Sequence, residues 1–420
     1  MPLAHGVGSQ HDLPLSPFYA YAGAFAALFV SFLSLGLLWS TSRFRGDLAG
    51  RPLPAAVQRL ADAPATRTVL RVLGAAAALA VVLHLLLGPD DPDRNPAPGA
   101  VYVLLWVGLV PASLLLGPVW RLLNPLRTLH ALLPARRPPR PLPARLGIRP
   151  AAAGLLLFTW LELVAPDNTA APVLLAALAV HTAVHLVGAA RHGPDWFGHA
   201  DPFEVYSSLL ARLSPLGRRA DGRLVLRSPL DGLDATAPRP GLVATVCVLL
   251  GSTAYDGFSD SPRWITLLQT SPLGRTPTAT LGLLASVALV AALYGLCAGA
   301  LRLLDRSVTT PLTSFAHSLL PIALGYLVAH YFTLFVTEGP RTVIMAAGTD
   351  NALAPAPPLG PGGLATLQVA AVVTGHVLGV VAAHDRAVRL FPPARAVAGQ
   401  LPLFALMIAY TLGGIGLLIA

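Results

Sequence analysis

A small set of ionisable residues lies inside apolar runs of this chain, and their types and spacing define the chemistry open to it. His84, Glu162, Asp256 and His330 each interrupt a different apolar run, with Glu338 just beyond the last. Imidazole and carboxylate together bind zinc or another divalent transition metal, leave one position for water and lower that water's pKa to near 7. In this reading Asp256 and Glu162 are candidate catalytic groups, and His84 and His330 are candidate metal ligands. His5 and His11, in the N-terminal MPLAHGVGSQHDLPLSP, could reach the same layer. The site requires four runs to converge; isolated, hydrogen-bonded side chains are the alternative.

A second set of histidines suits other chemistry. His181 and His185 are four residues apart, which puts them on one helix face, one turn from each other. That spacing serves a metal ion, a proton relay or bonding to neighbouring helices, and it lacks the Glu of a His-Glu-x-x-His metalloprotease. In VTGHVLGVVAAHDR, His376 stands among Gly375, Gly379 and other small residues that let another helix or a flat macrocycle approach. Bis-His haem ligation by His376 and His181 would use that space, but the paired His-bearing helices of a cytochrome b are missing. His317 is a further intramembrane histidine, and His384 with Asp385 reads as a solvated pair at the membrane surface. The run LLGSTAYDGF is interrupted by Gly251, Ser252, Thr253 and Asp256. Broken segments of this kind line a cavity or a water-filled path, so a site is expected there. No Gly-x-Ser-x-Gly elbow surrounds Ser252, which removes it as a serine nucleophile.

The elements that must position these residues follow from composition. Of 420 residues 54% are hydrophobic, mean hydropathy is +0.64 and 12% are charged, against roughly 25% in a soluble domain. Apolar runs near the roughly 20 residues needed to cross a hydrocarbon core recur along the chain. Ten spans are predicted, near 18–39, 69–87, 100–120, 149–165, 171–190, 241–257, 278–301, 313–337, 364–384 and 401–420. The fold class is therefore all-α, a polytopic integral membrane helix bundle, with residues 18–420 as a single transmembrane domain behind an exported tail, 1–17. Two cytoplasmic interfacial amphipathic helices are expected as well. One starts at Asp201 as cap with Pro202 at the first position and Glu204 three residues on; the other starts at Asn124 followed by Pro125.

The formal net charge of +9 is set by Arg alone, for the chain has no Lys. Of 29 Arg, 24 fall in alternate connecting segments on one side of the predicted membrane. Cytoplasmic loops are enriched in basic residues, so that side is inside, and both termini lie outside a bacterial cytoplasmic membrane. The Arg excess thus meets anionic headgroups of the lipid bilayer and does not mark a nucleic-acid binder. Cys247 and Cys297 lie in apolar runs and offer no disulfide framework.

The blocks AHGVGSQHDLP, FEVYSSLLARLSPLGRR, LLGSTAYDG, AHYFTLFV and GHVLGVVAAHDRA, spread from residue 4 to about 387, resemble the actinobacterial polytopic membrane proteins known as fenitrothion hydrolases. The resemblance implies hydrolysis of an organophosphate triester, a small apolar substrate that partitions into the bilayer. It assigns no catalytic residues, although its blocks contain His5, Asp256, His330 and His376. A metal-dependent hydrolase is the first reading. A transporter or redox subunit that handles metal, haem or protons, and an assembly factor of a membrane complex, are the alternatives.

Overall fold

The computed structural model describes residues 17–134, 138–304, 310–349, 353–392 and 397–419. Among the described residues ten helices overlap the expected runs: α1 (Pro17–Leu38), α2 (Pro64–Leu87), α3 (Ala97–Leu116), α4 (Arg149–Leu163), α5 (Ala171–His192), α6 (Leu242–Ser259), α7 (Arg275–Leu304), α8 (Leu320–Ala346), α9 (Pro361–Leu390) and α10 (Leu401–Ile419). Among the described residues eight of them are long and apolar enough to cross a membrane; α4 and α10 are shorter. The chain is an all-α, multi-pass membrane helix bundle.

Local chemistry sets the helix ends. Proline occupies the first turn of α2, α4, α5 and α9, where its missing N–H has no intrahelical partner to lose and its fixed φ suits the helix. Gly193 ends α5 with φ +76°, a left-handed conformation that side chains with a Cβ rarely adopt. Within α3, residues Ala100–Val107 form a π-helix, with Gly108 N–H donating to Val103 O at 2.9 Å.

The segment read as a single transmembrane domain comprises two compact units. The first is drawn from residues 1–46, 233–333 and 357–420, the second from 47–232 and 334–356. In the first unit α6 packs along α7, and α1 against α9 and α10. Glycines bring α9 onto α8: a Cβ at Gly375 would lie 2.5 Å from Pro321 O, and one at Gly379 2.7 Å from Ser318 O. Only a backbone without side chains permits that approach. A polar knot ties the end of α1 to α9. Asp385 accepts from Arg43 N–H at 2.6 Å, Ser42 Oγ at 2.8 Å, Trp39 Nε1 at 3.3 Å and Arg389 at 2.8 Å. His384 donates from Nε2 to Trp39 O at 2.9 Å and stands 3.0 Å from the Gln400 side chain. Both residues are buried, which corrects the expectation of a solvated pair: a chain reversal from α1 covers them and supplies the partners that water would have given.

In the second unit the two predicted capped helices form where expected, Pro125–Leu132 and Pro202–Leu210. Asp201 Oδ1 accepts from Phe203 N–H and Glu204 N–H, and Asn124 Oδ1 accepts from Leu126 N–H. The caps also bind each other, Asn124 Nδ2 donating to Asp201 Oδ2 at 2.9 Å. Three residues on, Arg127 grips Glu204 with two bonds of 2.7 Å. Burial pushes the Asp201 carboxyl up from the ordinary carboxylate range. The helix Pro202–Leu210 is buried on nearly every side, with Val205 and Tyr206 as inaccessible as Phe203, so its polar face meets protein. The Arg-rich connections add a small antiparallel sheet, β1 (Arg51–Pro52), β2 (Leu216–Arg218) and β3 (Leu224–Leu226), ordered β1-β3-β2.

Replacing Glu204 by Gln strands the Arg127 guanidinium. Breaking a buried pair in this way costs about 3 kcal/mol, so the expected outcome is a lower midpoint of thermal unfolding in detergent. The double variant Arg127→Met/Glu204→Leu should recover most of that loss, whereas equal losses in single and double variants would show that the pair is not coupled.

Candidate functional site

Asp256 stands in the last two turns of α6, fully buried. The polar residues before it do not break the helix, contrary to the expectation for LLGSTAYDGF: Leu242–Ser259 is continuous. The reason is local. Thr253 Oγ1 donates back to Leu249 O at 2.8 Å, and Ser252 Oγ reaches the same carbonyl at 3.4 Å, so the hydroxyls are satisfied without unwinding. Gly251 serves packing, because a Cβ there would lie 2.6 Å from Val287 Cα of α7. Ser286 Oγ, also on α7, donates to Gly251 O at 2.8 Å and fixes that contact.

The carboxylate of Asp256 meets α8. His330 Nε2 lies 2.7 Å from Asp256 Oδ2, and Tyr331 Oη donates to the same oxygen at 2.8 Å. All three side chains are buried, with exposures of 0%, 4% and 3%. An ionised carboxylate only accepts, so His330 presents Nε2–H to it and keeps its proton-accepting lone pair on Nδ1. A carboxylate behind a histidine, fixing tautomer and ring orientation, is the arrangement that makes imidazole an effective general base.

Beside this cluster is a cavity of about 330 Å³, within the roughly 300–1,000 Å³ range of ligand sites. Its lining comes from α6, α7, α8 and α10 and includes Leu250, Thr253, Leu289, Tyr326, His330 and Gly413. The wall is apolar in effect, because its hydroxyls are turned to backbone: Thr253 to Leu249 O, Ser286 to Gly251 O, Tyr410 to Val290 O at 2.9 Å, and Tyr326 to Tyr410 O. Among its lining residues, His330 is the only one that is histidine, acidic or basic.

Of the four residues expected to form a metal set, the first unit brings Asp256 and His330 together. His84 and Glu162 belong to the second unit. His84 is half-buried and donates from Nδ1 to Ala80 O of its own helix at 2.8 Å. Glu162 is buried in α4 one turn from Phe158, whose ring packs at 5.2 Å on Trp106 and 5.0 Å on Phe203. Among the described residues no group of three or more His, Cys, Asp or Glu is arranged to hold a metal ion. His5 and His11 lie outside the described residues.

The second histidine set is placed as follows. His181 and His185 meet, with ring centroids 4.4 Å apart, and His185 Nδ1 accepts from Trp196 Nε1 at 3.2 Å. His376 is fully buried, donates from Nδ1 to Val372 O at 2.8 Å and meets the Tyr326 ring edge-on at 5.6 Å. The room seen beside Gly375 and Gly379 is filled by α8, so a helix and not a macrocycle uses it. His317 is buried in the turn before α8. Sequence reasoning missed Tyr331. It follows His330 in AHYF, but neighbouring residues on a helix point about 100° apart, so adjacency alone gives no sign that they share one acceptor.

Changing Tyr331 to Phe removes a neutral donor to Asp256 and should lower stability by about 1 to 2 kcal/mol, read as a drop in the thermal midpoint; an unchanged midpoint would mean that the hydroxyl does not support the carboxylate. Compared with known proteins, the chain matches no protein-family model, and no curated protein and no solved structure is significantly similar to it.

Proposed function

We propose that this protein is a membrane-embedded hydrolase of an apolar phosphotriester, of the kind implied by its resemblance to fenitrothion hydrolases, with His330 as general base and Asp256 as the group that orients it. The observation that carries this reading is the 2.7 Å contact between His330 and Asp256 at the wall of an apolar cavity. His330 Nδ1 takes a proton from water, the water oxygen bonds to phosphorus, and the bond from phosphorus to the leaving alkoxide or phenoxide breaks. The imidazolium then returns its proton to the leaving oxygen. Asp256 holds the ring and stabilises its transient charge, while Tyr331 anchors Asp256. In the proposed orientation the Arg-rich segments face the cytoplasm, both termini lie outside a bacterial plasma membrane, and the site sits in the outer half of the bilayer.

The His181–His185 pair, ring against ring at 4.4 Å, favours a second reading, passage of a transition metal. Uptake of zinc or manganese into proteoliposomes, abolished by His181→Ala, would support transport in place of hydrolysis.

The test of the first reading is turnover of fenitrothion by the purified protein in nanodiscs, with metal content measured on the same sample. General-base catalysis contributes about 10²–10⁴-fold, so His330→Ala should lose activity on that scale, and Asp256→Asn should lose a large part of it with the fold intact. Full activity in His330→Ala would overturn the mechanism.

A further inference from the structure

The cavity at His330 is not closed on all sides, and the residues at its mouth say what it opens onto. Leu289 of α7 lines the cavity and is 59% exposed. Ala409 and Gly413 of α10 line it and are exposed too. Leu289 lies midway along the thirty residues of α7, so the mouth is at membrane depth, where the surroundings are hydrocarbon and not water. Leu289 and Leu293, one turn apart, form one edge; Ala409 and Gly413, one turn apart, form the other. Tyr410, bonded to Val290 O across the two helices, braces the gap between them.

Two adjacent glycines behave oppositely at this place. A Cβ at Gly414 would collide with the Tyr326 hydroxyl, so that glycine is required for packing. A Cβ at Gly413 meets nothing within 4 Å. Gly413 therefore leaves open a space that packing does not need, at the threshold of a cavity whose hydroxyls are all turned away. An occupant of such a cavity must be hydrocarbon along most of its length and bring its polar group to His330. In a bilayer the abundant molecule of that description is the lipid itself.

The geometry points to a lateral portal between α7 and α10, with Gly413 on its sill, through which a hydrocarbon chain of a bilayer lipid enters the His330 cavity. The inference rests on the proposed reading of that cavity as a substrate chamber and names its natural occupant as a lipid chain carrying an ester near one end. Access is then by diffusion in the plane of the membrane, and the width at residue 413 sets which chains pass.

The experiment uses the full chain in nanodiscs of phosphatidylcholine that carries a photoactivatable diazirine midway along one acyl chain. Labelled peptides are mapped by mass spectrometry. Wild type should be labelled at the buried cavity residues Thr253 and Ala329 as well as at Leu296, which is 71% exposed on the outer face of α7. Gly413→Trp should lose the labels at Thr253 and Ala329 and keep the label at Leu296, and it should lose triester turnover where wild type shows any. Gly413→Ala, which leaves the mouth open, should behave as wild type and controls for folding. Interior labels absent from wild type, or unchanged in Gly413→Trp, would overturn the portal. Interior labels with no turnover by wild type would uphold the portal and remove the hydrolase, so the two failures are distinguishable.

Discussion

A carboxylate at membrane depth has no solvent to rely on, and Asp256 is the residue at which that constraint acts hardest. Neither lipid nor the apolar interior can solvate an ion, so its stabilisation must come from donors the protein brings to it. His330 and Tyr331 both donate to Oδ2, and they do so from consecutive positions of α8. Rotation of α8 by a fraction of a turn would withdraw one of them. The register of α6 against α8 is thereby tied to a polar contact. The cavity inherits its position from the same constraint, since His330 can line it only while α8 keeps that rotation.

The rule recurs at the other buried charges and explains their forms. Asp385 and Asp234 share Arg389, and Asp234 also accepts from Arg386 at 3.1 Å. Asp201 is held by a neighbouring cap and two backbone amides, and Glu204 by a two-bonded guanidinium. These groups lie in connections or near helix ends, where backbone N–H groups and arginines are at hand. Asp256 also lies near a helix end, three residues before the last residue of α6, but the donors that reach it come from another helix, an imidazole and a phenol of α8. A histidine chosen for that duty is also one that can transfer a proton.

Much of this was legible in the chain. Spans followed from hydropathy, helix starts from the position of proline, and both unusual caps, Asn124 and Asp201, from the residues that follow them. That the two caps would bond to each other was not legible, because the pairing joins residues 77 apart and depends on how the second unit folds. Asp385 was misread for the same reason: next to an arginine-rich end it looked solvated, and only the reversal after α1 buries it. LLGSTAYDGF reads as a broken segment beside a cavity; the cavity is there, but the helix is continuous. Thr253 lines that cavity, yet the Ser252 and Thr253 hydroxyls bond their own helix, so the polarity that interrupts the pattern leaves the backbone intact.

The persistence of a cavity at one helix junction follows from what the glycines do elsewhere. Where Gly375, Gly379, Gly251 and Gly414 face a neighbour, the neighbour has moved in until backbone touches backbone or ring, as helices without a hydrophobic driving force must do to gain dispersion contact. Gly413 faces the mouth, and α7 has not moved in, because the Tyr410 bond to Val290 O already holds the two helices at a phenol's length. Closing the gap would break that bond in a medium that offers no replacement. The void is therefore the consequence of a satisfied hydrogen bond, and since dispersion favours filling it, hydrocarbon from the surrounding bilayer is its natural tenant. Polarity placed for structure at Tyr410 thus leaves apolar space beside His330.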